Sequence, residues 1–259
     1  MAANPFSLEG QSVLISGAGG GIGQALVAAF NAAGARVYGA DRDAASLAGL
    51  DLAGTMIAEQ GDAAGMAEAT ARFIDQQGAP DIVVANAGWT RAEHFGHLDA
   101  ESWSYEVDVN LNGTYRMVDP LVTAMAKKGG GAVVIISSVN ALSHYGNPAY
   151  AAAKAGLIAY AKAIAVERGR DGIRANIVCP GSVRTPAWDH RLAANPRLLD
   201  KVLPHYPLNR LVSPAEVANA AVFLSSPAAS GITGVTLSVD AGLTAGNLRF
   251  VDEVLRADS

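Results

Sequence analysis

Between Ser12 and Ala33 the chain reads as an apolar run, a glycine-rich turn and a helix. That succession constrains the fold more than any other part of the sequence. The run is Ser12–Ser16, and the turn is Ser16-Gly17-Ala18-Gly19-Gly20-Gly21-Ile22-Gly23. Beyond it Ile22, Leu26, Ala29, Phe30 and Ala33 recur at helical spacing, which predicts a helix over Gly21–Ala33 with Gly34 as its stop. A strand that turns through glycines into a helix is where an open α/β sheet binds a phosphate-bearing ligand. The glycines let the backbone turn sharply and let an anion approach the free N–H groups of the helix start. The pattern G-x-G-x-x-G fails, because Ile22 stands where the third glycine would be. The P-loop pattern fails as well, because no Lys-Ser or Lys-Thr follows. What remains is G-x-x-x-G-x-G at Gly17, Gly21 and Gly23, which a ligand-free flexible turn could also show.

The rest of the chain repeats the alternation. Apolar runs at Ala35–Ala40, Thr55–Ala58, Asp81–Ala85, Ala132–Ser137, Ile173–Val178 and Val235–Val239 predict strands. Helices are expected at Ala63–Gln77, Ala100–Lys128, Pro148–Gly169 and Pro214–Leu224. Strands that are apolar throughout belong to a sheet buried on both faces, and β–α alternation makes it parallel. The expected fold is therefore α/β: a doubly wound, Rossmann-type fold with about seven parallel strands and helices on both faces. No composition break divides residues 1–259, so one dinucleotide-binding and catalytic domain is expected. Pro120, inside the Ala100–Lys128 stretch, predicts a kink or break. The segment Arg184–Arg210 holds four prolines and reads as an irregular loop, with Trp188 and Tyr206 as anchors.

A net charge of −5 gives no basic surface for nucleic acid. A single cysteine cannot form an internal disulfide and suits a reducing compartment. With no apolar run of membrane-spanning length and no signal-like N-terminus, a cytoplasmic protein with no membrane partner is the expectation.

Three further features carry chemistry. Asp41, at the end of the second strand, can accept hydrogen bonds from an adenosine ribose diol and would repel a 2′-phosphate. This favours NAD over NADP, although Arg42 beside it could attract that phosphate, and Asp41 could instead be a helix cap. A methyltransferase using S-adenosylmethionine would show a similar loop and acid. Tyr150 and Lys154, four apart on a helix, share one face. An ammonium beside a phenol favours phenolate; lowering a tyrosine from ~10 to ~7 takes about 4 kcal/mol. Such a tyrosine can move a proton at an alcohol while hydride leaves the carbon. Ser137 and Ser138 close the fifth strand, where a hydroxyl faces the ligand crevice.

In this order the residues resemble the classical short-chain dehydrogenase/reductase family over nearly the whole length. The motifs are Ser16-Gly17-(x3)-Gly21-Ile22-Gly23, Asn86-Ala87-Gly88, Asn110, Ser138, Tyr150-(x3)-Lys154 and Pro180-Gly181-(x3)-Thr185. The resemblance implies a CH–OH oxidoreductase with Tyr150 as general acid/base and Lys154 lowering its pKa and binding the nicotinamide ribose. Ser138 would orient the substrate oxygen, and Asn110 would help hold a relay water. It implies NAD contacts at Ser16, Gly17, Gly21, Ile22, Gly23 and Asp41, and then at Asp62 and Ala63 near the adenine. Asn86, Ala87 and Gly88 would line the cofactor, as would Pro180, Gly181, Val183 (by its backbone) and Thr185. It also implies a substrate lid at 184–210 and a homo-oligomer, often a tetramer. Ser16 stands where threonine is commoner, and Asp240-Ala241-Gly242 replaces Asp-Gly-Gly. Ser138 lies one residue closer to Tyr150 than is frequent, which leaves Ser137 as the other choice. The tail 243–259 is longer than in many relatives and is expected to reach a neighbouring subunit or cover a site.

Substrate selection is expected at Ser138, Asn140, Leu142, His144, Tyr145, Tyr150, Trp89, Arg91 and Trp188. Their polar and aromatic mix points to a sugar or polyol, with a 3-oxoacyl thioester, a hydroxysteroid or a small alcohol as alternatives. A non-enzymatic dinucleotide sensor would be expected to lack Tyr150 or Lys154. His94 and His97 are expected to be loop histidines rather than metal ligands, Cys179 a buried small residue, and Trp103 a packing residue.

Overall fold

The computed structural model of the protein describes residues 4–91 and 94–256. Among them, seven strands form one parallel sheet in the order β3-β2-β1-β4-β5-β6-β7. They are β1 (Ser12–Ser16), β2 (Arg36–Asp41), β3 (Gly54–Ile57), β4 (Ile82–Ala85), β5 (Gly131–Ile136), β6 (Ile173–Pro180) and β7 (Thr236–Val239). The expected doubly wound, seven-stranded fold is what is seen.

The pleat explains why the strands are apolar throughout. Leu14, Val83 and Val133 point to one face, while Val13, Ile15, Ile82, Val84 and Val134 point to the other. The first face is covered by α2 (Ala63–Gln77), α4 (Gly113–Lys128) and α5 (Pro148–Glu167), which contribute Phe73, Met117, Leu121 and Leu157. The second is covered by α1 (Gly21–Ala32) and α8 (Pro214–Ser225), through Leu26, Phe30, Val217 and Leu224. Both faces are thus closed, as a parallel sheet requires.

The winding reverses between β1 and β4, which are neighbours although β2 and β3 intervene in sequence. The segments following these two strands diverge and leave a crevice at their carboxyl ends. The glycine-rich turn and Asn86-Ala87-Gly88 occupy it.

Two expectations are corrected. Helix α4 runs unbroken through Pro120. The irregularity lies earlier, where α3 (Ala100–Val107) passes into α4 through a π-type turn at Asp108–Asn112. The segment 184–210 is not an irregular loop. It folds into α6 (Pro186–Ala194) and α7 (Leu198–Val202), held by a small cluster of Trp188, Tyr206 and Leu211. Helix α5 is long and apolar enough to span a membrane by length and composition, but it carries the buried Lys154 and packs on β6. Beyond β7 the chain turns and ends in a short helix, α9 (Leu248–Phe250), and a π-type turn at Val251–Leu255. Phe250, Val254 and Leu255 are exposed there. Residues 257–259 of the expected tail lie outside the described residues.

Candidate active site

The turn after β1 is built by close backbone approach. Gly17 has φ 63°, and its carbonyl accepts a hydrogen bond from the Gly20 N–H at 3.1 Å. The Ser16 hydroxyl accepts from the N–H groups of Asn86 and Ala87, each at 3.0 Å. Asn86 Nδ2 donates back to the Ser16 and Gly17 carbonyls at 3.0 and 3.1 Å. These bonds staple the end of β1 to the end of β4. The N-terminus of α1 has no side-chain cap, so its first N–H groups stay open. A Cβ on Gly21 would lie 2.9 Å from Thr185 Cγ2, so backbone and Thr185 meet there across the cleft. An uncapped helix start, cleared of side chains, fits the pyrophosphate of a dinucleotide.

The cleft has a volume of about 650 Å³. Ser16, Gly17, Gly21, Ile22, Gly23, Asp41, Asn86, Ala87, Gly88 and Thr185 line it, all expected from the sequence. Asp41 Oδ2 accepts from the Gly19 N–H at 3.1 Å, which fixes its carboxylate beside the turn. Arg42 also lines the cleft and is paired with Glu59 at 3.5 Å. Asp62 and Ala63 were expected here and are absent from the lining. Asp62 is the N-cap of α2, its carboxylate accepting from the Gly65 N–H at 3.0 Å, and Ala63 is the first residue of that helix. Glu59 and Gln60, which come soon after β3, line the cleft and were not expected.

A second chamber, about 400 Å³, adjoins the first. Ser138, Tyr150 and Lys154 meet in it. The Ser138 hydroxyl faces the Tyr150 phenol closely enough to favour its ionised form. Lys154 Nζ lies 5.5 Å from the centre of the tyrosine ring and donates to the Ile136 carbonyl at 3.0 Å. The choice between the two serines is resolved by bonding: Ser137 is buried and its hydroxyl donates to the Lys154 carbonyl at 2.8 Å. Burial pushes Tyr150 up to about 12, against a smaller lowering effect of Ser138, and pushes Lys154 down to about 8. Lys154 is expected to lower the phenol. In the protein itself desolvation of the ring wins, and the ammonium faces the ring. The positive nicotinamide ring would act in the lowering direction.

Asn110 sits in the π-type turn with its side chain fully engaged. Its Nδ2 donates to the carbonyls of Trp89 (2.6 Å) and Glu106 (2.8 Å), and its Oδ1 accepts from the Trp89 N–H at 3.0 Å. It therefore fixes the segment after β4 between the two chambers. Glu106 is buried, and its carboxylate accepts from the Arg91 N–H at 3.0 Å.

Comparison with known proteins decides the family. The sequence model of the family described as Enoyl-(Acyl carrier protein) reductase matches residues 17–244. An uncharacterized oxidoreductase of Schizosaccharomyces pombe, C922.06, is 41% identical over 250 residues, covering 96% of each chain. The chain belongs to the short-chain dehydrogenase/reductase family. A crystal structure of a family oxidoreductase from Burkholderia thailandensis is 44% identical, with TM-score 0.86 and 99% of each chain covered. A gluconate 5-dehydrogenase from Burkholderia cenocepacia, solved with NADP and tartrate, is 29% identical with TM-score 0.88, covering 95% of this chain and 100% of that one. As a short-chain dehydrogenase/reductase, this protein is an oxidoreductase that binds a nicotinamide dinucleotide.

Within that family frame, Pro180, Gly181, Val183 and Trp188 line the second chamber as expected. Asn140 and His144 do not. Asn140 Nδ2 donates to the Gly146 carbonyl at 2.9 Å, closing the loop before α5, and His144 is exposed. Leu142 and Tyr145 are exposed beside it. Arg91 turns onto α3, its Nη1 donating to the Ser102 hydroxyl at 3.1 Å. Thr90 and Arg191 line the chamber and were missed. Trp103 is 43% exposed on α3 and is absent from the lining of both chambers. Cys179 is fully buried, and burial pushes its thiol up. The His94 and His97 rings pack edge to face with no metal-ligating cluster among the described residues.

Proposed function

We propose that the protein is an NAD(H)-dependent oxidoreductase that interconverts a secondary alcohol and a ketone, with a sugar or polyol as substrate. The observation that carries this reading is the meeting of Ser138, Tyr150 and Lys154 in the chamber adjoining the Asp41 cleft. The dinucleotide, when bound, accepts or supplies the hydride. Tyr150 takes the hydroxyl proton during oxidation and returns it during reduction. Ser138 holds the same oxygen and orients it toward the phenol. Lys154, buried with its ammonium against the tyrosine ring, would act together with the positive nicotinamide ring against the burial that holds the phenol protonated. Asn110 acts as a positioning residue, since its side chain is committed to Trp89 and Glu106.

NAD is favoured over NADP by two neighbouring facts. The Asp41 carboxylate is fixed beside the glycine turn, and the Arg42 guanidinium is engaged by Glu59. The polyol reading is supported by the hydroxyl and aromatic lining of the second chamber and by the gluconate 5-dehydrogenase relative. The family description favours a second reading, reduction of an acyl thioester.

The test follows NADH absorbance while polyols, sugars and 3-oxoacyl thioesters are offered to the purified protein. Turnover of polyols with NAD is expected. Tyr150→Phe should lower that turnover by about 10²- to 10⁴-fold while NADH still binds. Wild-type turnover in Tyr150→Phe would sink the mechanism, and turnover confined to thioesters would select the second reading.

A further inference from the structure

We propose that the substrate carries a carboxylate, and that Arg191 of α6 binds it. This inference rests on the alcohol–carbonyl reading and narrows its substrate class to hydroxy acids such as sugar acids.

Arg191 lines the chamber that holds Ser138 and Tyr150. Its guanidinium carbon lies 4.5 Å from the centre of the Trp188 ring, so the planar cation lies against the indole. Stacking of this kind fixes a guanidinium without consuming its N–H donors. No carboxylate lies within ion-pair distance of Arg191 among the described residues. Asp189, the acid closest to it in sequence, is paired with Arg184 at 3.4 Å. The chamber lining contains no acid, and its other cation, Lys154, is buried and donates to the Ile136 carbonyl. Glu106 lies behind the lining, with its carboxylate turned to the Arg91 N–H. The two cations of the lining, Lys154 and Arg191, thus stand on different helices, with Tyr150 beside the first, an oriented guanidinium on the second, and the buried Glu106 of α3 behind Thr90. A guanidinium presents paired donors that match a carboxylate, which gives orientation as well as affinity. A neutral polyol would leave those donors to water.

The chamber, about 400 Å³, is lined on one side by residues assigned to the dinucleotide, among them Pro180, Gly181, Val183 and Thr185, so a compact sugar acid would take the side between Tyr150 and Arg191. One end of the substrate would meet Arg191 and its reacting hydroxyl would meet Tyr150 and Ser138.

The experiment compares gluconate with sorbitol, which share a six-carbon polyol chain and differ in charge. Two readouts are taken, NAD-linked turnover and binding to the NADH-loaded protein followed by nicotinamide fluorescence. The wild type should favour the acid in kcat/KM, and Arg191→Met should reduce the acid-over-polyol ratio by about 10- to 100-fold, mostly through KM. Arg191→Lys should restore part of it. An equal or lower kcat/KM for the acid in the wild type, or a ratio unmoved by Arg191→Met, would overturn the proposal. So would a matching loss of NADH affinity, which would assign Arg191 to the dinucleotide. Turnover of neither compound, with gluconate still bound through Arg191, would instead count against the alcohol–carbonyl reading alone.

Discussion

At Gly23 an added Cβ would sit 1.9 Å from the Gly17 carbonyl oxygen, closer than any atoms pack. Substitution there must push α1 away from the turn. Gly23→Ala should lose about 1–3 kcal/mol of stability and bind NADH far more weakly, as a thermal melt and a fluorescence titration would show. That glycine was legible because steric exclusion leaves one acceptable residue type. Tyr150 and Lys154 were legible for a related reason, since helical spacing alone places both on one face. At the adenine end the sequence left more open, since two acids, Glu59 and Asp62, follow β3 within a few residues. Only the backbone shows that Asp62 caps α2 while Glu59 faces the cleft. Arg191 carried no local signal: one arginine in a proline-rich stretch gains meaning only when α6 lays it on Trp188.

Helix α8 starts at a capping box: the Ser213 hydroxyl accepts from the Glu216 N–H at 3.3 Å and the Glu216 carboxylate accepts from the Ser213 N–H at 2.8 Å. Arg210 adds a forked pair to the same carboxylate. Arg210 and the Ser213 N–H hold Glu216 well below its ordinary value, at about 2. A depressed carboxylate stabilises the fold above its unfolded pKa and loses that contribution as pH falls through the folded one. Glu216→Gln should therefore cost up to about 1 kcal/mol at neutral pH, allowing for solvent screening of this surface group. Denaturation curves of the two proteins should converge as pH falls from about 4 toward 2. Helix existence was largely readable, because amphipathic spacing and caps are local. The passage of α4 through Pro120 was not. A tertiary shell of Met117, Leu121 and Met125 holds that helix in place, and the local irregularity moved to the turn around Asn110.

The whole molecule is one sheet whose strand ends share a rim, and fold class was legible because alternating apolar runs admit few topologies. The cofactor preference belongs to this scale, since ligand binding stabilises the native state as a whole. NADH at about 100 times its Kd should add about 2.7 kcal/mol. For a protein of this size that raises Tm by roughly 5–10 °C. NADPH at the same concentration should give a smaller shift, and Asp41→Ala should narrow the difference. Equal shifts in the wild type would move the selectivity away from Asp41. The two chambers have five lining residues in common, Ile22, Asn86, Gly88, Trp89 and Thr185. One partition thus serves as wall to both, and a dinucleotide held by these residues would form part of the wall that a substrate meets. Such an architecture would favour loading in sequence, the dinucleotide before the substrate, and initial-rate kinetics with product inhibition would show it.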